Sequence, residues 1–380
     1  MRVVVVGAGV GGLTLAHGLR QAGIDVVVYE RDGAVGRTQG VSLHVDDRGA
    51  SALRACLPPA HVAMVEATTG GPREQTVALA EVDGELAVTG TRVADGVAGR
   101  ARPGRQVHRP LLRAVLLTGL DDVVRLGAEC TRFEQRADGT VRVWLADGRT
   151  DTADVLVGAD GIGSAVRRRY LPDVRVVDTG RRMIMGATPL RAVAGTGLSG
   201  LIGDSPASAC VGDTTMAMGV LRFRESPLTA WRRWLPGLHR GAVAELEDYV
   251  MWALPTAGER LGSADSPVAV WHRAAELTAG LPSALRSVVA EAWRDVTAVL
   301  RIGTIPSPPA WPASPVTLIG DAIHLAPGFG ANLAMRDAYR LCEALVEAHR
   351  GRRGLLDAIG AYEDTMRRDS FTSVTAKASA

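Results

Sequence analysis

The N-terminal segment contains the residues whose types and spacing point most directly to chemistry. Gly7, Gly9 and Gly12 fit the pattern Gly-x-Gly-x-x-Gly, between a β-branched run at residues 2–6 and a helical pattern from Leu13 onward. The first glycine allows a tight turn, the second lets a pyrophosphate approach the backbone, and the third lets the helix pack closely on the strand. Because a helix N-terminus presents unpaired N–H groups and a partial positive charge, this turn predicts a site for the phosphates of a dinucleotide.

Glu30 strengthens this prediction because it follows a second strand-like run at residues 25–29. A carboxylate at the end of that strand would accept hydrogen bonds from ribose hydroxyls, and it would repel the 2′-phosphate of a tightly bound NADP. The glycines alone would also fit a simple tight turn between a strand and a helix. The strand, the helix and the acidic residue together favour dinucleotide binding.

Two further aspartates follow runs that are typical of buried strands. Asp160 lies in Gly-Ala-Asp-Gly-Ile-Gly-Ser, and Asp321 lies in Leu-Ile-Gly-Asp-Ala-Ile-His. Taken singly, an aspartate after a strand is usually a turn former. Ligands of open α/β sheets, however, bind at the carboxyl ends of the strands, so both residues are candidates for ligand contacts.

The composition limits the class of protein. The chain has 380 residues, 47% of them hydrophobic and 22% charged, which suits a soluble protein of two domains. A net charge of +2 with scattered arginines predicts no nucleic-acid partner. No apolar run is long enough to span a membrane, and the four dispersed cysteines suggest a reducing cytoplasm. The densest basic run, at residues 167–169, predicts a solvated helix face.

The pattern of elements predicts two domains, the first of them discontinuous. The first thirty residues resemble a βαβ unit, whereas residues 173–305 alternate as in antiparallel strands. A helix is predicted at residues 107–118 and another at residues 333–349. The predicted segments are 1–65, 100–172 and 306–350 for the dinucleotide domain, 66–99 and 173–305 for a substrate domain, and 351–380 for a C-terminal helical segment.

Together these motifs resemble the class A flavoprotein monooxygenases, which include the aromatic hydroxylases and the tetracycline-modifying hydroxylases. The resemblance covers nearly the whole chain and extends to the segments 37–44, 109–113 and 330–332. It implies an α/β fold like that of para-hydroxybenzoate hydroxylase, with a Rossmann-like FAD-binding domain and a mostly antiparallel β substrate domain.

The resemblance also implies roles for individual residues. Asp321 would bind the ribityl or pyrophosphate region of FAD, and Asp160 would lie by the pyrophosphate, near the approach of the nicotinamide. Arg109 would contact FAD, Arg37 would lie near the phosphates, and His44 would lie near the flavin edge. The full set of expected cofactor contacts is Gly7, Gly9, Gly11, Gly12, Glu30, Arg31, Arg37, His44, Arg109, Asp160, Gly161, Gly320, Asp321, Pro327, Gly330, Ala331 and Asn332.

The segment 327–332 has an expected electrostatic role. Its amides and the N-terminus of the following helix would face the N1–C2=O edge of the flavin and stabilise the negative charge of the reduced ring. The loop 325–331 is shorter than the glycine-rich loop of the family. This difference bears on the ability to oxygenate a substrate more than on FAD binding.

By the resemblance, NAD(P)H reduces FAD, O2 adds at flavin C4a to give a hydroperoxide, and one oxygen is transferred to a mid-sized organic substrate such as a natural product. His44 and His324 are candidates for a base, and a histidine bonded to backbone fits both positions equally well. The pocket would be formed by apolar segments that contain Met183, Met185, Met216, Met218, Phe223 and Trp252, although such residues are more often core.

Three alternatives remain open at the level of sequence. The first is a cyclase or isomerase of the same fold, in which FAD is structural or lost, and the short loop is its main support. The second is an NAD-dependent dehydrogenase, which the two extra aspartate segments and the absence of a Tyr-x-x-x-Lys pair disfavour. The third is a non-catalytic carrier. The protein is expected to be a monomer or a homodimer.

Overall fold

The computed structural model describes residues 1–33, 40–96, 102–262, 264–325 and 330–378. The strands are β1 (Arg2–Val6), β2 (Asp25–Glu30), β3 (Ser42–Asp46), β4 (Pro72–Arg73), β5 (Gln75–Val82), β6 (Glu85–Val93), β7 (Gly104–His108), β8 (Val124–Leu126), β9 (Cys130–Gln135), β10 (Val141–Leu145), β11 (Thr150–Ala153), β12 (Val155–Gly158), β13 (Val177–Pro189), β14 (Ala207–Val211), β15 (Thr214–Leu221), β16 (Tyr249–Ala257), β17 (Ala298–Thr304) and β18 (Val316–Leu318). The helices are α1 (Val10–Gln21), α2 (Asp47–Cys56), α3 (Pro59–Ala67), α4 (Arg109–Leu117), α5 (Ala165–Tyr170), α6 (Leu198–Ile202), α7 (Pro227–Trp234), α8 (Pro267–Leu277), α9 (Ser283–Ala290), α10 (Gly330–His349) and α11 (Leu355–Ala378).

A five-stranded parallel sheet brings the three sequence motifs to one edge. Its strand order is β18-β12-β1-β2-β8. The valines of β1 are fully buried because both faces of the sheet are covered. In the register of the sheet, Val6 pairs with Gly158 and Gly158 pairs with Leu318. The glycine turn, the Asp160 segment and the Asp321 segment therefore leave the sheet side by side.

The N-terminal turns of α10 pack against this edge at three glycines. A Cβ atom on Gly11 would lie 3.1 Å from the Ala334 Cβ and carbonyl oxygen, and one on Gly320 would lie 2.6 Å from the Ala334 Cβ. A Cβ atom on Gly49 of α2 would lie 2.5 Å from Asn332 Oδ1. The helix can approach this closely only because these positions lack side chains.

A seven-stranded sheet of order β17-β13-β16-β15-β14-β5-β6 forms the other main layer. Its strand pairs are antiparallel except for β14 and β5, which run parallel. One face packs on α8 and α9 and buries Met216, Met218 and Trp252. These three residues are therefore core, and their expected place in a pocket wall was wrong. Met183 and Met185 lie on the opposite face and are only half-buried.

Smaller elements connect the two large sheets. A three-stranded sheet of order β3-β7-β4 lies between them, and β7 also contacts β15. The antiparallel strands β11, β10 and β9 form a separate three-stranded sheet. Helix α11 packs on α10, and its Tyr362 hydroxyl donates a 2.9 Å hydrogen bond to the carbonyl oxygen of Leu318. Within the described residues, no helix has the length and apolarity needed to cross a membrane.

Two predicted helix boundaries need correction. Residues 107 and 108 belong to strand β7, and the helix predicted there starts at Arg109 with proline in its first turn. Helix α10 starts at Gly330, three residues before its predicted start, so Gly330, Ala331 and Asn332 form its first turn. Both errors arise at helix starts, where the apolar periodicity gives little signal.

The buried His17 predicts a specific dependence of stability on pH. Its Nε2 donates to the Leu116 carbonyl oxygen at 2.8 Å, and burial lowers its pKa from 6.5 to about 4. Since the folded pKa is below the unfolded one, this contribution to stability is present above pH 6.5 and is lost as the pH falls toward 4. The loss between pH 7.5 and pH 5 should be about 2 kcal/mol from this residue.

His17→Gln retains an amide donor for Leu116, so its free energy of unfolding should fall less than that of the wild type over the same pH range. Urea titrations at pH 7.5 and pH 5 measure this difference, and His272→Gln, at an exposed position, is the matched control. Equal pH dependence of His17→Gln and the wild type would show that His17 is not the responsible group.

Candidate functional site

The glycine turn after β1 has the geometry that its sequence predicts. Gly7 has a φ of 110°, and a side chain there would clash with the Ala159 carbonyl group at the end of β12. A Cβ atom on Gly12 would clash with the Gly7 carbonyl oxygen, whereas nothing lies within 4 Å of the corresponding position at Gly9. Gly9 is exposed, so its backbone is open to a ligand. Gly11 instead serves the contact with α10 described above, a role that the motif did not reveal.

Glu30 joins the end of β2 to the glycine turn. Its Oε2 accepts a 2.7 Å hydrogen bond from the Ala8 amide, and its Oε1 accepts one of 2.9 Å from the Asp32 amide. The carboxylate is half-buried and retains lone pairs that can accept from ribose hydroxyls. Arg31 beside it is exposed, with its Nε 3.7 Å from Asp32 Oδ1. Arg37 lies outside the described residues.

Asp160 organises the loop after β12. Its Oδ2 accepts from the amides of Ala165 (2.7 Å) and Val166 (3.3 Å), and so holds the start of α5. Its Oδ1 is buried without a hydrogen-bond partner in the described part of the chain. Gly161 follows with a φ of 71°, which lets the loop turn back. The Asp160 carboxylate is thus partly used inside the protein and has one oxygen left.

Arg167 connects the Asp160 loop to the Asp321 turn. Its Nη1 donates to the Ala322 carbonyl oxygen and its Nη2 to that of Ile162, both at 2.8 Å. The residue is 3% exposed, and burial lowers its pKa while the Asp160 charge opposes that shift. The prediction of a solvated helix face was wrong for Arg167, although Arg168 and Arg169 are exposed.

Asp321 presents an open carboxylate where β18 meets the start of α10. The side chain is exposed, and no described residue donates a hydrogen bond to it. Desolvation nevertheless raises its pKa, against the opposing charges of His324 and Arg109, as expected at the base of a cleft. A Cβ atom on Gly330 would lie 2.5 Å from Asp321 Oδ1, so the carboxylate sits directly over the first turn of α10.

Arg109 belongs to the same electrostatic cluster. Burial lowers its pKa, and the Asp321 charge opposes this shift. Its backbone amide donates to the Val41 carbonyl oxygen at 2.8 Å, which fixes the first turn of α4 beside β3. The expected contact between Arg109 and FAD stays a prediction.

Asn332 fastens α10 to β3. Its Oδ1 accepts from the Asp46 amide at 2.9 Å, and its Nδ2 donates to the His44 carbonyl oxygen at 2.8 Å. The side chain is fully buried, so only its backbone could face a cofactor. Gly330 and Ala331 are half-buried at the open helix start. Pro327 lies outside the described residues.

The two histidines considered as bases are both engaged with protein groups. His324 is fully buried, and its Nε2 lies 2.5 Å from Asp337 Oδ2, which also accepts from the Gly320 amide at 3.0 Å. The His324 side chain has no exposed surface, so a structural role in holding Asp337 fits it better than proton transfer to a substrate. The Nε2 of His44 lies 2.9 Å from the Arg102 carbonyl oxygen, and burial lowers its pKa. A backbone-bonded role fits His44 better than proton transfer.

This edge can hold an elongated dinucleotide. Phosphates fit the start of α1, a ribose fits Glu30, and hydroxyls fit Asp321. The start of α10 lies beside Asp321, where its partial positive charge can face a second ring system.

Comparisons with known proteins agree with this geometry. A model described as an NAD(P)-binding Rossmann-like domain matches residues 5–64, and one described as an FAD binding domain matches residues 309–372. A crystal structure from Photorhabdus luminescens, described as an FAD-containing monooxygenase, covers 100% of this chain and 97% of its own at 27% identity and a TM-score of 0.82. These matches support a place for the chain in the class A FAD-dependent, aromatic-hydroxylase-like family.

Curated relatives carry related names. The dual O-methyltransferase/FAD-dependent monooxygenase CTB3 of Cercospora beticola is 30% identical over 96% of this chain and 44% of its own length. The FAD-dependent urate hydroxylase of Klebsiella pneumoniae is 32% identical over 51% of this chain and 46% of its own. The chain thus spans less than half the length of both of these curated relatives.

Asp321 should determine much of the affinity for FAD. Because a hydrogen bond to a charged acceptor is worth roughly 1.5–3 kcal/mol, Asp321→Ala should weaken FAD binding by about tenfold to a hundredfold. Fluorescence titration of the apoprotein with FAD measures the dissociation constant, and circular dichroism checks the fold. Asp213→Ala, in the exposed turn between β14 and β15, is the matched control. Unchanged affinity in Asp321→Ala would exclude this carboxylate from the FAD site.

Proposed function

We propose that this protein is a monooxygenase that uses NAD(P)H and O2 to hydroxylate, epoxidise or insert oxygen into a mid-sized organic molecule. The observation that carries the proposal is the exposed Asp321 carboxylate over the start of α10, at the edge where three parallel strands end. For hydroxylation, the balance is one substrate, one O2, one NAD(P)H and one proton, giving hydroxylated substrate, NAD(P)⁺ and water.

When bound, FAD supplies the redox chemistry, and the chain supplies position and charge. With FAD bound, the unpaired amides at the start of α10 would face the cofactor, and their partial positive charge would favour negative charge on its ring. Asn332 holds this helix start against β3 through its two hydrogen bonds. The direction of the helix is therefore fixed before any ligand binds, which is the preorganisation that electrostatic stabilisation needs.

The open face of the seven-stranded sheet supplies an apolar wall for a substrate. Met185 and Met251 are half-buried there. In the strand register, Met185 pairs with Ala253, and Ala253 pairs with Ala217 on its other side. A Cβ atom on Gly40 would lie 3.6 Å from the Met185 side chain, so the segment before β3 also touches this wall. Such a wall excludes water, which favours transfer of oxygen to a substrate over release of peroxide.

The names of the relatives support oxygenation over the non-redox alternative. One curated relative is named a dual O-methyltransferase/FAD-dependent monooxygenase, and the other is named an FAD-dependent urate hydroxylase. The short loop that supports a cyclase or isomerase falls mostly on residues 326–329, which lie outside the described residues. No contact among the described residues distinguishes the two functions, so an experiment must do so.

Direct reduction and coupled oxygenation are the expected results. NAD(P)H alone should bleach the flavin under anaerobic stopped-flow conditions, because the transient reductant needs no second nicotinamide fold. With the substrate present in air, product formed per NAD(P)H consumed should approach one. Strict dependence on a separate reductase would contradict the first result.

A variant with the loop 325–331 lengthened by glycines serves as the control for coupling. The natural protein should couple at least as well as this variant. If the natural protein gives only hydrogen peroxide while the lengthened one oxygenates the substrate, the non-redox function gains and the proposal fails.

A further inference from the structure

A buried guanidinium lies outside the cofactor edge, against the open face of the seven-stranded sheet. Arg73 of β4 is 5% exposed, and its Nη2 donates to Gln106 Oε1 and to the Val220 carbonyl oxygen. Gln106 is 1% exposed, and its Nε2 donates to the Gly219 carbonyl oxygen at 3.2 Å. The arginine is thus held in one orientation by neutral oxygen acceptors.

The side chains of Arg73 and Gln106 both pack against Gly219 of β15. A Cβ atom there would lie 2.6 Å from both Arg73 Nη2 and Gln106 Oε1. Any side chain at this position would displace the guanidinium from the sheet. The fold therefore leaves space for a buried cation at this strand position.

Arg73 lacks a counter-ion within the protein. No carboxylate of the described residues forms an ion pair with it, and the segments outside that description contain no Asp or Glu. Asp204, whose charge acts on Arg73, is itself paired with Arg222 at 2.7 Å. Burial lowers the pKa of Arg73 to about 10. A buried charge with neutral partners only is costly, so a ligand anion would relieve a cost that the chain otherwise bears.

Arg73 lies next to the apolar wall that is proposed for the substrate. Gly219 pairs with Met251 in the sheet, and Ala217 next to it pairs with Ala253. On its other side, the positive charge of Arg73 contributes to lowering the pKa of His44 on β3. Asn332 of α10 is hydrogen-bonded to this same strand. The guanidinium therefore lies between the apolar wall and the strand that borders the cofactor edge.

We propose that Arg73 binds an anionic oxygen of the substrate, a carboxylate, phenolate or enolate, at the polar end of the apolar wall. This inference rests on the proposed function and specifies its substrate class: a flat apolar molecule with one negatively charged oxygen. Gln106 is a positioning residue, because its Oε1 accepts from the guanidinium while its Nε2 is held by the Gly219 carbonyl oxygen.

The test compares an acid with its neutral isostere. Binding of 1-hydroxy-2-naphthoate and of 1-hydroxy-2-naphthamide to the FAD-reconstituted protein is measured by calorimetry. Because hydrogen bonds to charged groups contribute roughly 1.5–3 kcal/mol, the acid should bind about tenfold to a hundredfold more tightly. Arg73→Met should abolish this preference, and Arg73→Lys should retain part of it. Arg92→Met, which removes an exposed charge from the same sheet, should keep the full preference.

Several outcomes would overturn the inference. Equal affinity for acid and amide in the wild type, or no binding of the acid, contradicts it without any variant. Displacement of the acid by adenosine 2′,5′-bisphosphate would assign the cation to the reductant instead. The measurement needs no turnover, so an acid preference that depends on Arg73 in a protein that fails to oxygenate would refute only the proposed function.

Discussion

The close packing of the first turns of α10 against three glycines is the contact on which the cofactor edge depends. Ala334 fits against Gly11 of α1 and Gly320 after β18, and Asn332 fits against Gly49 of α2. These glycines come from distant parts of the sequence, so the packing joins the start of the chain to its end. A methyl group at Gly320 would meet Ala334 at 2.6 Å and push the helix start away from Asp321. The geometry of the cofactor edge therefore depends directly on how closely α10 packs.

Buried hydrogen bonds hold α10 in the position that the three glycines allow. Asn332 satisfies two backbone groups around His44 and Asp46, and Asp337 accepts from both Gly320 and His324. Losing one partner of such a buried bond typically costs about 1–3 kcal/mol, because the other partner stays unsatisfied. Arg167 adds a third connection between the two aspartate turns. The edge is thus held rigidly, as electrostatic preorganisation requires.

The sequence was sufficient for those features that depend on local backbone geometry. Gly7 and Gly12 are required by the turn itself, and the parallel sheet follows from fully buried β-branched runs. The role of Gly11 was not predictable, because its partner Ala334 lies more than three hundred residues away. His324 looked like a base until its burial against Asp337 was known. Arg167 appeared to be one of three solvated arginines, and the available clue was its place three residues after Ser164, which caps a helix of only six residues.

Arg73 was even harder to predict from the sequence, because no motif near it distinguishes it from the other arginines. Its environment is formed by Gln106 of β7 and by Gly219 and Val220 of β15, all of them distant from Arg73 in the sequence. Tertiary contacts, not local patterns, decide which charges are paired.

The central claim is that two helix N-termini and three strand ends form one site for FAD. The most direct measurement is the identity and stoichiometry of the flavin released from the purified protein, after reconstitution with excess FAD and removal of unbound cofactor. The account predicts one non-covalently bound FAD per chain, because only FAD has an adenosine ribose for Glu30 as well as ribityl hydroxyls for Asp321. Released FMN, or no bound flavin at all, would contradict it.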